Sequence, residues 1–300
     1  MNKNICAVIV SYNSPDRLSE CISSILPQAD EIIVIDNSSD ARARQRIKEL
    51  TSSQKMTLVL NENNEGLGHA LNQGLRRSAE RGYIWTLLLD DDSILSDSMI
   101  DEMMRSYSNC GTDIRGAVAA IVPAVYDKKL DEYIPSVITT KTFNRKLRQP
   151  PSDAFVHFHI TSGTLLKNET LERVGYMNER LFIDYIDFDY CFRLLNKGYK
   201  ILLSKDALLY HSLGELRQTL FLRFREHNFM RVYYQSRNRL YALIKHGVTY
   251  KSFLFAESFR FASKLFKIIM LESNKAEKIH MYFKGIKDCI RDYKNLDAEF

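Results

Sequence analysis

The chain has 300 residues, a net charge of +5 and a hydrophobic content of 45%, which are typical of a globular protein with a substantial core. Its five cysteines lack paired spacing. Their scatter excludes a disulfide framework or a cysteine-rich zinc site and favours reduced thiols in the cytosol. The N-terminus lacks the apolar run of a signal peptide, and we expect no segment that crosses a bilayer.

Charge and composition both change along the chain. Residues 1–214 carry a net charge of −3 and residues 215–300 a net charge of +8, and all six prolines lie at or before Pro151. This change predicts a boundary near Gly214, between an N-terminal domain and a basic, aromatic, helical C-terminal region.

The first ninety residues alternate short apolar runs with helical patterns. Ser14 and Pro15 are typical of a helix start, and Pro27 of a helix stop. The predicted strands are Ile5–Val10, Glu31–Ile35, Thr57–Leu60 and Tyr83–Leu89, and the helices between them include Ala41–Leu50 and Asn72–Glu80. This alternation predicts an α/β fold with a mostly parallel, doubly wound sheet.

The remainder of the N-terminal domain is less regular. We predict a long basic loop at Lys128–Asp153, which at that length is expected to be functional or mobile. Other predicted elements are strands at Ala117–Val125, Phe155–Ile160, Ile201–Leu203 and Ala207–Tyr210, and helices at Asn168–Val174 and Asp187–Asn196.

Polar clusters follow three of the predicted strands. They are Ser11-Tyr12-Asn13, Asp36 with Asp40, and Asp90-Asp91-Asp92. Ligands of parallel sheets bind beyond the carboxyl ends of the strands, so we expect these clusters to converge. Neighbouring carboxylates suit Mg²⁺ or Mn²⁺, which could hold a diphosphate. The alternative is a solvated turn that caps a helix over Leu95–Met104.

Seven short motifs occur in an order that resembles the family 2 glycosyltransferases with the GT-A fold, most closely the bacterial rhamnosyltransferase branch. The resemblance covers roughly residues 5–214. The motifs are Val8–Asn13, Ile35–Ser39, Asn64-x-Gly66-x-x-x-Ala70-x-Asn72-x-Gly74, Leu89–Asp92, Ser162-Gly163, Phe182–Arg193 and His211-x-x-Gly214.

The resemblance implies a nucleotide-sugar donor and a divalent metal. In it Asp92 ligates the metal, His211 completes the metal shell, Tyr12 stacks on a pyrimidine and Asp36 bonds the base edge. Asp91 is expected to point away as a solvated acid, although it belongs to the same motif. The residues expected around the donor are Tyr12, Asn13, Asp36, Asn64, Gly66, Asn72, Asp90 and Asp91. The glycines of these motifs could instead be required by turn geometry, and this explanation is compatible with donor contact. His69, His157 and His159 are expected to be structural.

On the acceptor side, the resemblance implies that Asp187 is the general base of an inverting reaction. Here Ile186 stands where the family more often has an acid, which weakens the alignment. Asp184 is expected to touch the acceptor. Asp189 could either do so or hold the helix terminus, and the Ser162-Gly163 turn is also assigned to the acceptor side.

These expectations define an inverting, metal-dependent glycosyltransferase. It would move rhamnose from dTDP-rhamnose to a surface-polysaccharide or lipid-linked glycan at the cytoplasmic face of the membrane, with Lys128–Asp153 as the acceptor loop. Alternatives are a UDP-hexose or UDP-galactofuranose donor, a sugar nucleotidyltransferase, and a non-catalytic sugar-binding protein.

The basic tail contains two aromatic segments, Phe221–Leu243 and Phe253–Leu271. The second, with Arg260, Lys264 and Lys267, suits either a helix in the membrane interface or a helix packed on the catalytic domain or a second subunit. For the first segment we favour packing. The acidic N-terminal part argues against a nucleic-acid partner.

Overall fold

The computed structural model describes residues 4–53, 55–139, 143–211, 217–218, 223–224 and 226–297. The predicted boundary at Gly214 and the start of the segment at Phe221 lie outside these residues. The strands are β1 (Ile5–Ser11), β2 (Glu31–Asp36), β3 (Met56–Leu60), β4 (Trp85–Asp90), β5 (Ser93–Leu95), β6 (Val118–Asp127), β7 (Glu132–Ile134), β8 (Ser136–Thr139), β9 (Asn144–Leu147), β10 (Ala154–Val156), β11 (Thr164–Lys167), β12 (Lys200–His211), β13 (Arg217–Gln218) and β14 (Arg223–Phe224).

Helices cover both faces of the central sheet. They are α1 (Pro15–Ile25), α2 (Ala41–Leu50), α3 (Leu67–Glu80), α4 (Met99–Asn109), α5 (Thr112–Arg115), α6 (Leu171–Val174), α7 (Ile186–Asn196), α8 (Phe229–His246), α9 (Lys251–Leu271) and α10 (Lys275–Leu296). Short 3₁₀ turns at Asn168–Thr170 and Glu179–Leu181 precede α6 and α7.

The central sheet runs β10-β12-β6-β11-β4-β1-β2-β3. Strands β3, β2, β1 and β4 are parallel neighbours, and so are β6 and β12. The mostly parallel α/β sheet predicted from the alternation is therefore confirmed. The parallel strands bring the carboxyl ends of β1, β2 and β4 to one edge of the sheet, in adjacent positions.

The core consists of two apolar layers, one on each face of the sheet, and the side chains of β1 alternate between them. Val8 faces the layer that contains α3 and α7, and Ile9 faces the layer that contains α1 and α4. Successive side chains of a strand point to opposite faces, so a continuous apolar run such as β1 is buried on both sides.

Several predicted boundaries were wrong. The supposed loop Lys128–Asp153 contains β7 and the β8–β9 hairpin. The two strands predicted near residues 201–210 are one strand, β12, with a bulge between Ser204 and Leu208. Helix α3 begins at Leu67 rather than Asn72. Leu95 lies in β5, so the helix predicted from it begins at Met99.

Helices α8, α9 and α10 pack on one another and on the N-terminal part of the chain. Val232, Ile268 and Tyr282 form an apolar cluster of their own, whereas Tyr241 joins the core layer that lies under α3 and α7. In the part of the chain that the structure describes, none of the helices combines the length and the apolarity needed to cross a membrane.

Candidate active site

The ends of β1 and β2 are joined through Asn13. This residue has a φ of +54°, a left-handed conformation that asparagine tolerates better than most residues. Its backbone N–H donates to Ser38 Oγ at 2.7 Å, and its Oδ1 accepts from the backbone N–H groups of Ser39 and Asp40 at 3.0 Å. Asn13 therefore fixes the loop after β1 against the loop after β2.

Asp36 lies fully buried at the end of β2. One carboxylate oxygen accepts from Ser38 N–H at 3.0 Å, and the other has no hydrogen-bond partner among the described residues. A buried carboxylate oxygen without a donor is costly. Tyr12 lies nearby with 47% of its surface exposed, and its hydroxyl is 3.4 Å from Ser39 Oγ.

Asp90, Asp92 and His211 converge at the end of β4. Each offers one ligand atom, and these atoms lie within 4.8 Å of one another. His211 Nδ1 is 3.0 Å from Asp92 and Nε2 is 3.8 Å from Asp90. Although desolvation opposes protonation, the Asp92 contact and the nearby Asp90 raise the pKa of His211. Two carboxylates and an imidazole form a donor set that suits Mn²⁺, and with added water also Mg²⁺.

Asp91 does not behave as the solvated acid that we expected. It is buried and accepts from Tyr12 N–H at 3.0 Å and Ser11 Oγ at 3.3 Å. Burial raises its pKa to about 6. The turn after β4 directs Asp91 towards β1, where it ties the ends of the two strands together.

Arg17 is a residue that the sequence analysis missed. It extends from α1, with guanidinium nitrogens 3.6 Å from Asp91 and 3.7 Å from Asp92. The available signal was a basic residue in the first turn of the helix after β1, because the N-terminus of that helix must face the cleft.

The Ser162-Gly163 turn supports the sheet edge that carries Asp90 and Ser93 rather than lining an open acceptor site. Ser162 Oγ is buried, accepts from Asp90 N–H at 3.2 Å and lies 2.5 Å from Ser93 Oγ. Gly163 has a φ of +84°, and a Cβ there would meet Leu209 and Pro123 at 2.8 Å. Because Ser162 is buried, its side chain is not available for the predicted acceptor contact. The turn itself requires glycine at position 163.

The Asn64–Asn72 motif divides into two roles. Asn64 is exposed, and its side chain accepts from Gly66 N–H at 3.0 Å. Asn72 is fully buried and bonds to both the N–H and the C=O of Met177. The side-chain amide of Asn72 is therefore not available for the predicted donor contact, because it joins α3 to the segment before α7.

Asp187 lies in the first turn of α7, where it is partly buried and borders a small cavity whose other walls are mainly apolar. Burial raises its pKa to about 7, and the charges of Asp184 and Asp90 add to the increase. A carboxylate with a pKa near neutrality can both hold and release a proton at physiological pH.

Comparison with known proteins agrees with this geometry. The profile of Glycosyl transferase family 2 matches residues 6–175. The chain belongs to glycosyltransferase family 2. It is 30% identical over 255 residues to dTDP-rhamnosyl transferase RfbF of Shigella flexneri, covering 83% of this chain and 82% of RfbF. The predicted family and glycosyltransferase activity are thus confirmed.

Solved structures show the fold of this glycosyltransferase. S. aureus TarS 1–349 in complex with UDP-GlcNAc superposes with a TM-score of 0.63 at 13% identity, covering 96% of this chain and 80% of TarS 1–349. GalNAc-T7 with UDP, GalNAc and Mn²⁺ gives 0.62 at 13% identity, covering 97% of this chain and 57% of GalNAc-T7. At this identity the likeness establishes the GT-A fold alone.

Asp184 of the glycosyltransferase is held by Arg231 of α8. The guanidinium donates to both carboxylate oxygens, at 3.0 and 3.2 Å. Desolvation opposes the charge of Arg231, but Asp184 and then Asp90 raise its pKa. Arg231 was also missed from sequence, because nothing local indicates that the start of α8 lies against this part of the cleft.

Asp189 has a structural position in the glycosyltransferase. It is 1% exposed, and its oxygens lie 2.8 Å from Arg193 Nε, 3.1 Å from His246 Nε2, 3.2 Å from Lys245 Nζ and 3.2 Å from the Tyr241 hydroxyl. Burial alone would raise the pKa of Asp189, but these partners hold it well below the ordinary value. Acceptor contact is therefore contradicted, and the helix-positioning alternative agrees with the geometry.

The three histidines that were expected to be structural, His69, His157 and His159, make contacts that are compatible with such roles. His69 Nδ1 is 2.7 Å from Glu179, and His157 Nδ1 accepts from Thr139 N–H at 3.0 Å. His159 Nδ1 lies 2.8 Å from Ser136 Oγ, and burial lowers its pKa to about 3.

Proposed function

We propose that this glycosyltransferase is an inverting, metal-dependent enzyme that transfers rhamnose from dTDP-rhamnose to a glycan or lipid-linked glycan. The observation that carries the proposal is the convergence of Asp90, Asp92 and His211 within 4.8 Å, at the strand ends that also present Asp36 and Tyr12. The dTDP-rhamnosyl relative RfbF supports the choice of donor.

The nucleotide is assigned to the edge formed by β1 and β2. The buried, unpartnered oxygen of Asp36 would accept the imide N–H of thymine or uracil. The half-exposed ring of Tyr12 would cover a face of the base. Asn13, Asn64 and Gly66 would shape the surrounding backbone without contributing charge.

The cation is assigned to Asp92 and His211, with Asp90 on the side of the nucleotide. A bound Mg²⁺ or Mn²⁺ would neutralise the negative charge of the departing diphosphate. Arg17 lies beside Asp91 and Asp92 and provides a second positive group on the same side. The cation and Arg17 would together offset the negative charge of Asp90, Asp91 and Asp92 before the diphosphate binds.

Asp187 is assigned as the general base. Its carboxylate removes the proton from the acceptor hydroxyl as the new C–O bond forms and the bond from the anomeric carbon to the diphosphate breaks. Attack from the face opposite the leaving group inverts the anomeric carbon. Asp184, held by Arg231, lies on the acceptor side of Asp187 in this assignment.

Variants at the two assigned positions test the proposal. Asp92→Ala should abolish Mn²⁺-dependent binding of dTDP, measured by calorimetry. Asp187→Asn should keep that binding and lose at least a hundredfold in dTDP release from dTDP-rhamnose. Asp206→Asn, which changes an exposed acid, is the control. Unchanged turnover in either test variant would overturn the role of that residue.

The donor is tested separately with thermal melting in Mn²⁺. We expect dTDP-rhamnose to raise the melting temperature more than UDP-glucose or UDP-galactofuranose, because a ligand that binds only the folded state stabilises it. A larger shift with either UDP-sugar would replace the donor and leave the reaction class intact.

Helix α9 of the C-terminal region is assigned to contact with an anionic membrane surface on the cytoplasmic side. Helix α9 exposes Phe255, Phe259 and Phe266 along one stripe, and Arg260 and Lys267 lie beside it. Lys264 faces inward instead and bonds Glu272 at 2.6 Å. Aromatic rings flanked by cations suit an interfacial helix, and the high positive charge of residues 215–300 favours an anionic surface over a second copy of the chain.

A further inference from the structure

The segment that leads into the catalytic helix α7 has a strained backbone. Phe182 has a φ of 62° and a ψ of −59°, in a tight turn closed by Ile183 N–H donating to Leu181 C=O at 2.7 Å. Asp184 and Tyr185 follow with φ values of 63° and 68°. Such conformations persist in residues other than glycine only where the surroundings hold them.

One side chain of α8 holds most of this segment. Asn238 is fully buried, and its Nδ2 donates to the carbonyls of Leu181 and Ile183 at 2.7 Å and of Asp184 at 3.0 Å. One amide group thus contacts three carbonyl groups within four residues of the turn. Without it these carbonyls would lose a buried donor, which disfavours the observed conformation.

The rest of the same helix face adds support. Arg237 donates to the carbonyls of Arg180 and Leu181 at 2.6 and 3.2 Å. Tyr234 stacks on Phe182 with ring centroids 4.8 Å apart. Residues 234, 237 and 238 lie on one side of a helix because they are three and four positions apart.

The donor side of the cleft holds the segment from the opposite direction. Leu67 N–H donates to Phe182 C=O at 2.6 Å, and a Cβ on Gly66 would lie 2.7 Å from the Phe182 ring. The segment is therefore fixed between the start of α3 and the face of α8, and it delivers Asp187 to the cleft two residues after Tyr185.

We propose that Asn238 is a positioning residue for the transfer reaction, holding the strained 181–185 backbone so that Asp187 meets the acceptor hydroxyl. This inference rests on the function proposed for Asp187. It makes the C-terminal region a part of the active site, although Asn238 itself touches neither substrate nor cation.

The test compares Asn238→Ala and Asn238→Ser with the full chain. Gln235→Ala removes an amide from the same helix and is the control. We expect kcat for dTDP release to fall at least tenfold in Asn238→Ala and less in Asn238→Ser, which keeps one donor. The donor KM and the affinity for dTDP with Mn²⁺ should stay within twofold, because β1, β2 and β4 are untouched.

The pH profile separates positioning from loss of folded protein. A released segment exposes Asp187 to water, so the acidic limb of kcat should move to lower pH by at least half a unit in Asn238→Ala. The proposal would be overturned if kcat fell only in proportion to the folded fraction and the acidic limb of the kcat profile stayed at its wild-type pH. It would also be overturned by a kcat for Asn238→Ser within twofold of wild type if Asn238→Ala does not fold.

Asp187→Asn, assayed in parallel, separates failure of the positioning role of Asn238 from failure of the base assignment of Asp187. If that variant is inactive and the Asn238 variants behave as wild type, the positioning role fails and the base assignment stands. If Asp187→Asn retains wild-type turnover, the proposed function itself fails.

Discussion

Three aspartates within six residues have different environments. Asp184 pairs with Arg231, Asp187 has a raised pKa, and Asp189 is enclosed by cationic and hydroxyl groups. The sequence identified all three as candidates because their spacing resembles a family motif. It left Asp189 between acceptor contact and the helix terminus, since most of the groups that distinguish the three environments come from α8, more than forty residues later.

The raised pKa of Asp187 makes a prediction about pH. A general base must be ionised, so kcat should rise as the pH increases through about 7 and then level off. The measurement is kcat from pH 5.5 to 8.5 at saturating donor and Mn²⁺, with Asp206→Asn as the control. A rate that is constant across this range would contradict the assignment of Asp187 as the base.

Gly66 combines a positive φ with a close contact to Phe182. Gly66→Ala should lower the free energy of unfolding by more than the roughly 1 kcal/mol that the φ alone costs, and it should reduce transfer. Gly82→Ala is a matched control, because Gly82 has a φ of +77° and open space around an added Cβ. Equal losses in urea denaturation of the two variants would show that the Phe182 contact is unimportant.

At the scale of elements, the contact between α7 and α8 decides how the site is assembled. Asp189 of α7 meets Tyr241, Lys245 and His246, which repeat along one face of α8. The helical patterns of both segments were visible in the sequence. The sequence did not show which faces of the two helices pack together, because amphipathic periodicity indicates that a face is buried but not which element covers it.

Removing the Asp189 charge should destabilise the protein. Asp189→Ala leaves the partly buried Arg193 without its ion-pair partner and removes one of the two carboxylates beside Lys245. We expect a loss of about 3 kcal/mol in unfolding free energy at pH 7. Because the pKa of Asp189 is depressed in the folded state, its contribution is present above the ordinary aspartate pKa of about 3.9 and is lost as the pH falls towards the folded value.

Urea midpoints at pH 7 and at acidic pH check this expectation. The difference between wild type and Asp189→Ala should narrow as the pH falls below about 4. Asp292→Asn, at a half-exposed acid of α10, should differ little from wild type at either pH. A constant difference across the pH range would show that the loss is not electrostatic.

At the scale of the whole molecule, negative and positive charge are segregated. The first 214 residues carry −3 and the remainder +8, and the exposed phenylalanines of α9 lie in the positive part. A molecule with this distribution would approach an anionic surface with its C-terminal helices foremost.

Vesicle sedimentation tests this orientation. Replacing Phe259 and Phe266 with Ser should weaken binding to phosphatidylserine vesicles at least tenfold, since each exposed ring contributes apolar area to the interface. Phe283→Ser changes an exposed ring on α10 and is the control. Unchanged binding, or a concentration-dependent change in molar mass instead, would favour a second subunit as the partner of α9.

Local sequence determined the elements and the chemistry of this glycosyltransferase. Apolar runs, helical periodicity and acids at strand ends are short-range patterns, so they predicted the parallel strands, most helices and the Asp90–Asp92 cluster. The tertiary structure alone decided that Asp91 turns inward, that Asn72, Ser162 and Asp189 are buried in hydrogen bonds within the protein, and that Arg17 and Arg231 lie beside acids of the candidate site. Those outcomes depend on contacts between distant segments, and no local pattern encodes which distant side chain will occupy the remaining space.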